Sequence, residues 1–366
     1  MKVLKQIKSK LSFIQRYHYR WVLGIAVSWT LIDIFYWLYN LHLPDKELSE
    51  ITFSTFSQQA LLLRTSVVLL MSGVMGYLLI FWLRQSFRDF PLLVNLLIKS
   101  CILLLGCFIM NFLLRFSYSV VIMHYSPGNA IRMFFDESRS FLWLLDHSLG
   151  WIVLFVLTQI TIEFYEKYSP GVFWDILIGS YIRPKSEVRI VMFMDLVDST
   201  AIAERLDSKK YFSFIRDFIY YVSIALLEYG GRIYQYVGDE IVVSWKKKPK
   251  NVDNCINAII LSTKLLHRHR KYFMKNYGFI PEFKTGAHVG EVTVGEIGII
   301  KRDIAISGDT MNTAARIRTA CTELNCKNLV SRELLEGMII GWDKEYKGAV
   351  ELKGKSESIE LYSLKI

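Results

Sequence analysis

A chain of 366 residues that is 52% hydrophobic, with a mean hydropathy of +0.28, is too long for one ordinary domain and too apolar to be soluble throughout. The formal net charge of +10 does not argue for nucleic acid. Lys2, Lys5, Lys8, Lys10, Arg16 and Arg20 crowd ahead of the first apolar run, where the positive-inside rule places them, and no DNA- or RNA-binding motif is present.

The apolar excess ends near Tyr165, so a membrane domain over residues 1–165 is expected to precede a soluble one. A spanning helix needs about 20 mainly apolar residues. Four segments qualify, starting at Trp21, Ser66, Ser100 (extended backward through "PLLVNLLIK") and Phe141. They predict an α-helical transmembrane bundle of about four spans. An even count puts both termini on one side. The basic N-terminus with Arg84, Arg88 and Lys99 makes that side the cytoplasm, at the plasma membrane. Residues 45–50 and 117–139 then form the loops on the other side. No cleavable signal peptide is evident.

Asp33, Asp146 and His147 fall inside the spans. Ionisable groups there are costly and need a partner or a role. The expectation is that Asp33 pairs across the bundle with His147 or a Tyr; a sensing role is the other reading. His42, His124 and His147 lack metal-ligand spacing. Cys101, Cys107, Cys255, Cys321 and Cys326 form no C-x-x-C pair, as expected of reduced thiols in a cytosol-facing protein.

Residues 166–187 read as a connector, punctuated by Pro170-Gly171 and Pro184. Its Val172, Phe173, Ile176, Leu177 and Ile178 need a surface to pack on. From Val188 the run "VRIVMFMDLVDST" predicts a buried strand over 190–194 that ends in Asp195 as a helix begins. In the next helix Ile215, Phe218, Ile219, Val222 and Leu226 share a face, and Gly230-Gly231 stops it. "IYQYVGDEIVVSW" is a β-hairpin turning at Gly238, Asp239 and Glu240. Lys246-Lys247-Lys248-Pro249-Lys250 after it reads as a solvated loop. A helix and the strands of "PEFKTGAHVGEVTVGEIG" follow. The alternation predicts a ferredoxin-like α+β domain over 188–366.

That topology makes the end of the first strand and the tip of the hairpin neighbours, so Asp195 and Asp239 converge. Two such carboxylates suit Mg²⁺, which keeps few protein ligands and takes the rest from water and phosphate oxygens. "LVDST" adds backbone N–H groups and the Ser199 and Thr200 hydroxyls for a polyphosphate. Further on, "ISGDTMNTAARI" enters a helix with Asn312 and Arg316 on one face. "VELKGKSESIELYSL" sets Lys353 and Lys355 on a hairpin. His288 reads as an ordinary strand residue.

Taken in order, "FMDLVDST", "YVGDEIVVSW", "GAHVGEVTVGEIG", "SGDTMNTAARI" and "LKGK" resemble the catalytic domain of class III nucleotide cyclases, over residues 187–366. The resemblance implies two Mg²⁺ or Mn²⁺ ions per site on Asp195 and Asp239, with the Leu196 carbonyl as a further ligand. It implies Asn312 for the ribose, Arg316 for charge on the α-phosphate, and Lys353 for the terminal phosphates. It also implies a homodimer, with the aspartates of each site from one copy and Asn312 and Arg316 from the other. The activity implied is that of a membrane-anchored adenylate cyclase.

The base-reading positions depart from the family pattern. Gln235 stands where adenylate cyclases of this class carry Lys, and Ala305 where they carry Asp or Thr, with Asp303 close by in sequence. A Gln amide can donate or accept, so either purine can be bonded. ATP is the expected substrate because the Glu typical of guanine-specific members is absent; GTP comes next. The alternatives are a guanylate cyclase and a catalytically silent membrane receptor that only binds nucleotide.

Overall fold

The computed structural model describes residues 13–41, 58–83, 92–167, 175, 178–298, 303–351 and 358–366. The chain divides into two compact units, Met1–Phe164 and Tyr165–Ile366.

The first unit is helical. It comprises α1 (Phe13–Leu41), α2 (Gln58–Tyr77, continued by a π-helical turn Leu78–Leu83), α3 (Leu92–Val121), α4 (Pro127–Glu137) and α5 (Phe141–Lys167). Three helical segments, Gln15–Tyr39, Gln58–Leu83 and Ile98–Val121, are long and apolar enough to cross a membrane. The fourth expected span lies in α5, whose described residues include a shorter apolar stretch, Ser148–Ile162. Trp29, Met75, Leu79, Leu103, Cys107 and Phe155 bury one another where the long helices meet. α5 joins α1 through Trp29 Nε1, which donates to Thr158 Oγ1 at 2.9 Å, and α3 through Asn111 Nδ2, which donates to Ser148 Oγ at 3.3 Å.

Asp33 is buried, and its partner is not the one expected. The Arg64 guanidinium on α2 donates two bonds to it, Nε to Oδ2 and Nη2 to Oδ1, both 2.7 Å. This planar fork satisfies both carboxylate oxygens, which neither His nor Tyr can do. α4 occupies what the sequence suggested was a loop. Ser126 caps it, Pro127 opens it, Phe134 is buried beneath it and Glu137 pairs with Arg115 of α3.

The second unit is one mixed sheet with helices on both faces. Its elements are β1 (Lys185–Leu196), α6 (Ser199–Arg205), α7 (Ser208–Glu228), β2 (Arg232–Val237), β3 (Glu240–Lys246), α8 (Pro249–Arg268), α9 (Arg270–Tyr277), β4 (Phe283–Ile297), β5 (Asp303–Ser307), α10 (Asp309–Glu323), β6 (Asn328–Ser331), α11 (Arg332–Leu335), β7 (Lys344–Glu351) and β8 (Ser358–Leu364). The strand order is β2-β3-β1-β4-β6-β8-β7, with β5 paired to β4. Its first four strands have the ferredoxin-like order, β1 lying between β3 and β4. The period of two along β1 divides its side chains. Ile190, Met192, Met194 and Leu196 enter the main core with Phe218, Val222 and Leu226 of α7 and Ile256 of α8; Val191 and Phe193 face α10.

Ahead of β1 the connector is fixed by Tyr181, not Ile178, which is exposed. Tyr181 is buried, and its hydroxyl accepts from Arg189 Nη2 at 3.0 Å and donates to Glu187 Oε1 at 3.2 Å. Arg189 is only 2% exposed and also donates to Glu187 Oε2 at 3.0 Å and Ser244 Oγ at 3.2 Å, so this buried charge is paired and bonded on all sides. Asp175 holds Arg232 of β2 at 2.6 Å.

Candidate active site

Asp195 is the penultimate residue of β1, and Asp239 follows Gly238 in the β2–β3 turn. Gly238 takes a φ of 63°, which suits glycine and lets the hairpin reverse tightly. Antiparallel pairing of β1 with β3 runs up to Met194 opposite Ile241, so both carboxylates emerge at one end of these strands. The two carboxylates interact with each other. Burial pushes the Asp195 carboxyl up to about 6. The Arg318 guanidinium works against that rise, and the Asp239 and Glu240 carboxylates add to it. Asp239 Oδ2 is buried with no hydrogen-bond partner.

An orphaned buried carboxylate oxygen beside a second carboxylate of raised pKa fits a cation site. No group of three or more His, Cys, Asp or Glu residues that could hold a metal ion occurs among the described residues. The carboxylates brought together here are the two aspartates put forward from the sequence. That suits an ion which completes its shell from water and phosphate oxygens. The Leu196 side chain lies in the core, which leaves only its backbone for the site.

Ser199 and Thr200 open α6, after Asp198 in a left-handed conformation with φ 56° and no capping side chain. Ser199 lies close to the Tyr211 hydroxyl, which in turn feels the charges of both aspartates. Burial, then the charges of Asp239 and Asp195, raise the Tyr211 phenol above its ordinary range. Tyr211 was not singled out from the sequence; as one aromatic in the helical run "YFSF" it carried no signal. Gln235 is exposed on β2, next to a bulge at Ile233–Gln235 that alters which face it presents. Ala305 is half-buried on β5 opposite Gly295 and contributes only a methyl group. Asp303 is exposed, and its carboxylate accepts the N–H of Ile304. Lys353 and Lys355 lie outside the described residues.

α10 brings the remaining candidates. Asn312 is exposed and Arg316 half-buried, and neither side chain has a hydrogen bond or ion pair among the described residues. Arg318 does: Nη1 lies 3.1 Å from Asp195 Oδ2 and Nη2 donates to Glu240 Oε2 at 2.5 Å. At about 100° per residue, Arg318 points roughly 200° away from Arg316 around the helix. The face with Asn312 and Arg316 is therefore turned from the carboxylates of its own chain. Arg318 was missed in the sequence because it sat beside a more conspicuous arginine, although its opposite helical phase was readable. The pose of α10 depends on two glycines of β4. A Cβ on Gly286 would stand 2.1 Å from Arg318 N, and one on Gly290 2.5 Å from Thr310 Oγ1.

A family model described as "Adenylate and Guanylate cyclase catalytic domain" matches residues 181–366. The chain is 32% identical over 202 residues to adenylate cyclase 2 of Rhizobium meliloti (strain 1021), covering 54% of this chain and 56% of that protein. It is 24% identical over 219 residues to the adenylate cyclase of Anabaena cylindrica, covering 56% and 43%. The chain thus spans about half the length of the curated relatives it matches. Among solved structures, a bacterial light-regulated adenylyl cyclase superposes with a TM-score of 0.53 at 19% identity, covering 60% of this chain and 65% of that one. That likeness is one of fold. With the family model spanning the whole sheet and its α10 helix, the chain belongs to the class III adenylate and guanylate cyclase family, behind an N-terminal unit with three helices apolar enough to span a membrane.

Proposed function

We propose that this protein is a membrane-anchored nucleotide cyclase that converts a nucleoside triphosphate, ATP in the first instance, to its 3′,5′-cyclic nucleotide and pyrophosphate. One observation carries the reading. Asp195 and Asp239 are gathered with an unsatisfied buried oxygen, while Asn312 and Arg316, on the far face of α10, have no side-chain partner among the described residues. Half a site in each place calls for a second copy of the chain, with two equivalent sites across a two-fold axis.

In that site Asp195, Asp239 and the Leu196 carbonyl would hold the cations. The chemistry supplied by two bound Mg²⁺ or Mn²⁺ ions is activation of the ribose 3′-oxygen and neutralisation of the leaving pyrophosphate. The bond from O3′ to the α-phosphorus forms as the bond to pyrophosphate breaks. Arg316 of the second copy meets the charge on the α-phosphate, Asn312 orients the ribose, and Lys353 takes the terminal phosphates. Ser199 and Thr200 offer hydroxyls and N–H groups to the triphosphate.

The adenylate cyclase relatives support ATP. Gln235, exposed on the hairpin, is the side chain left to read the base, since Ala305 offers no side-chain hydrogen bond. The bonds from α5 to Trp29 and Asn111 support α5 as a fourth span, and hence both termini on the cytoplasmic side of the plasma membrane. A silent nucleotide-binding domain is the second reading, favoured by Arg318 lying against Asp195.

The test is the full chain in lipid nanodiscs, given ATP, GTP, CTP or UTP with Mg²⁺ or Mn²⁺, and the product identified by mass spectrometry. A cyclic nucleotide made by the unmutated chain and not by Asp239→Ala supports the proposal. Absence of product from a confirmed dimer replaces it with the silent reading.

A further inference from the structure

Asp195, Asp239 and Glu240 put three carboxylates at one end of the sheet, and one guanidinium answers them. Arg318 Nη1 is 3.1 Å from Asp195 and Nη2 is 2.5 Å from Glu240, with the three side chains 27%, 26% and 15% exposed respectively. Its Nε is buried with no hydrogen-bond partner, so among the described residues the guanidinium's polar contacts are these two carboxylates. Its position is imposed from below: the Arg318 backbone rests on Gly286, the cross-strand neighbour of Phe193, two residues before Asp195 on the same face of β1.

We propose that Arg318 is a built-in counter-cation of this cluster, which holds Glu240 away from the metal and yields Asp195 when a divalent cation binds. This rests on the metal assignment of Asp195 and Asp239 made above. The argument is one of competition. Three like charges so close together repel, and the guanidinium relieves that repulsion when no metal is present. Its fork geometry engages two carboxylates at once, which an ammonium cannot do. The same contact occupies an Asp195 oxygen that a cation would use, so every binding event must first break it. Arg318 is thus a positioning residue. It lowers the affinity of the empty cluster for metal and leaves two aspartates, not three acids, as the ligand set.

A merely structural ion pair makes the opposite prediction, since its loss would loosen the cluster and weaken metal binding. The experiment is a Mn²⁺ titration of the full chain in phosphatidylcholine nanodiscs without nucleotide, with free Mn²⁺ followed by electron paramagnetic resonance. Arg318→Gln is expected to bind Mn²⁺ about two- to fivefold more tightly than the unmutated chain, the range set by breaking a partly exposed ion pair. Equal or weaker binding in a variant that still melts cooperatively overturns the proposal. Should Arg318→Gln not fold, Arg318→Lys replaces it. It keeps the charge but cannot bridge, and a smaller gain in affinity is expected; no gain overturns the proposal. Asp239→Asn separates the two ideas. Mn²⁺ binding that ignores Asp239→Asn removes the metal assignment itself. Binding that is lost in Asp239→Asn but unchanged in Arg318→Gln removes only the role of Arg318.

Discussion

Gly286 and Arg318 meet backbone to backbone: a Cβ added to Gly286 would stand 2.1 Å from the arginine nitrogen and 2.6 Å from its Cα. No rotamer change relieves such an overlap, because the obstructing atoms are main chain. Gly286→Ala must lift α10 off β4, at a cost of about 2–3 kcal/mol. The expected result is a clear drop in melting temperature together with loss of cyclase activity, since Asn312 and Arg316 ride on the same helix. A variant that melts like the unmutated protein would contradict this packing.

Asp239→Asn separates function from stability. The Asp239 carboxylate has a buried oxygen with no hydrogen-bond partner, next to Asp195. Neutralising it should raise the stability of the metal-free protein by about 1 kcal/mol. Cyclic nucleotide formation should fall by about a hundredfold or more, the scale seen when a transition-state electrostatic contact is removed. Thermal melts in chelator and a mass-spectrometric product assay check the two halves.

The pH dependence of the metal-free protein follows from Asp195. Its carboxyl, ordinarily near 3.8, is pushed up to about 6 in the folded chain, chiefly by burial. The fold therefore binds the proton more tightly than the unfolded chain does. That contribution to stability is fully present below about 3.8 and is lost as pH rises through about 6. Asp195→Asn removes the slope, so the difference in melting temperature between the two proteins should change across that window and flatten above it. Mn²⁺, which needs the ionised carboxylate, should bind progressively worse as pH falls below about 6.

In the helical unit, the bidentate contact of Arg64 with Asp33 predicts asymmetric costs. Asp33→Asn takes the carboxylate from a guanidinium whose side chain is only 12% exposed, and should destabilise by about 3 kcal/mol. Replacing both, as Asp33→Asn with Arg64→Met, should cost less than the single change, because no charge is then left behind. Melting of the four proteins in detergent, read as a double-mutant cycle, checks this.

Much of the soluble unit was legible in the sequence because its periodicities are clean. The continuous apolar run in "VRIVMFMDL" placed a buried strand ending in Asp195, and "YVGDEIVV" placed Asp239 at a hairpin tip. Phe218, Val222 and Leu226 form the buried face of α7 as their spacing implied. What escaped were contacts that depend on tertiary approach. Arg64 as the partner of Asp33, Arg318 as the partner of Asp195, and Tyr181 as the anchor of the connector each meet residues that no local pattern brings near. α4 could have been found, since Ser126-Pro127 is a cap followed by a favoured first helical residue.

The enclosed Arg189 has a practical consequence for where this protein can be cut. Its guanidinium draws on Tyr181, which precedes the first strand, as well as on Glu187 and Ser244 within the sheet. A fragment trimmed to start at Lys185 would keep the charge inside while discarding the hydroxyl that helps to satisfy it. The upstream segment is thus part of the soluble unit's own interior, and an excised version should retain Asp175, which grips Arg232 on the hairpin strand. Seen this way, the stretch before β1 is a rooted stem, and a pull on it would be felt first at the base of the strand whose other end carries Asp195.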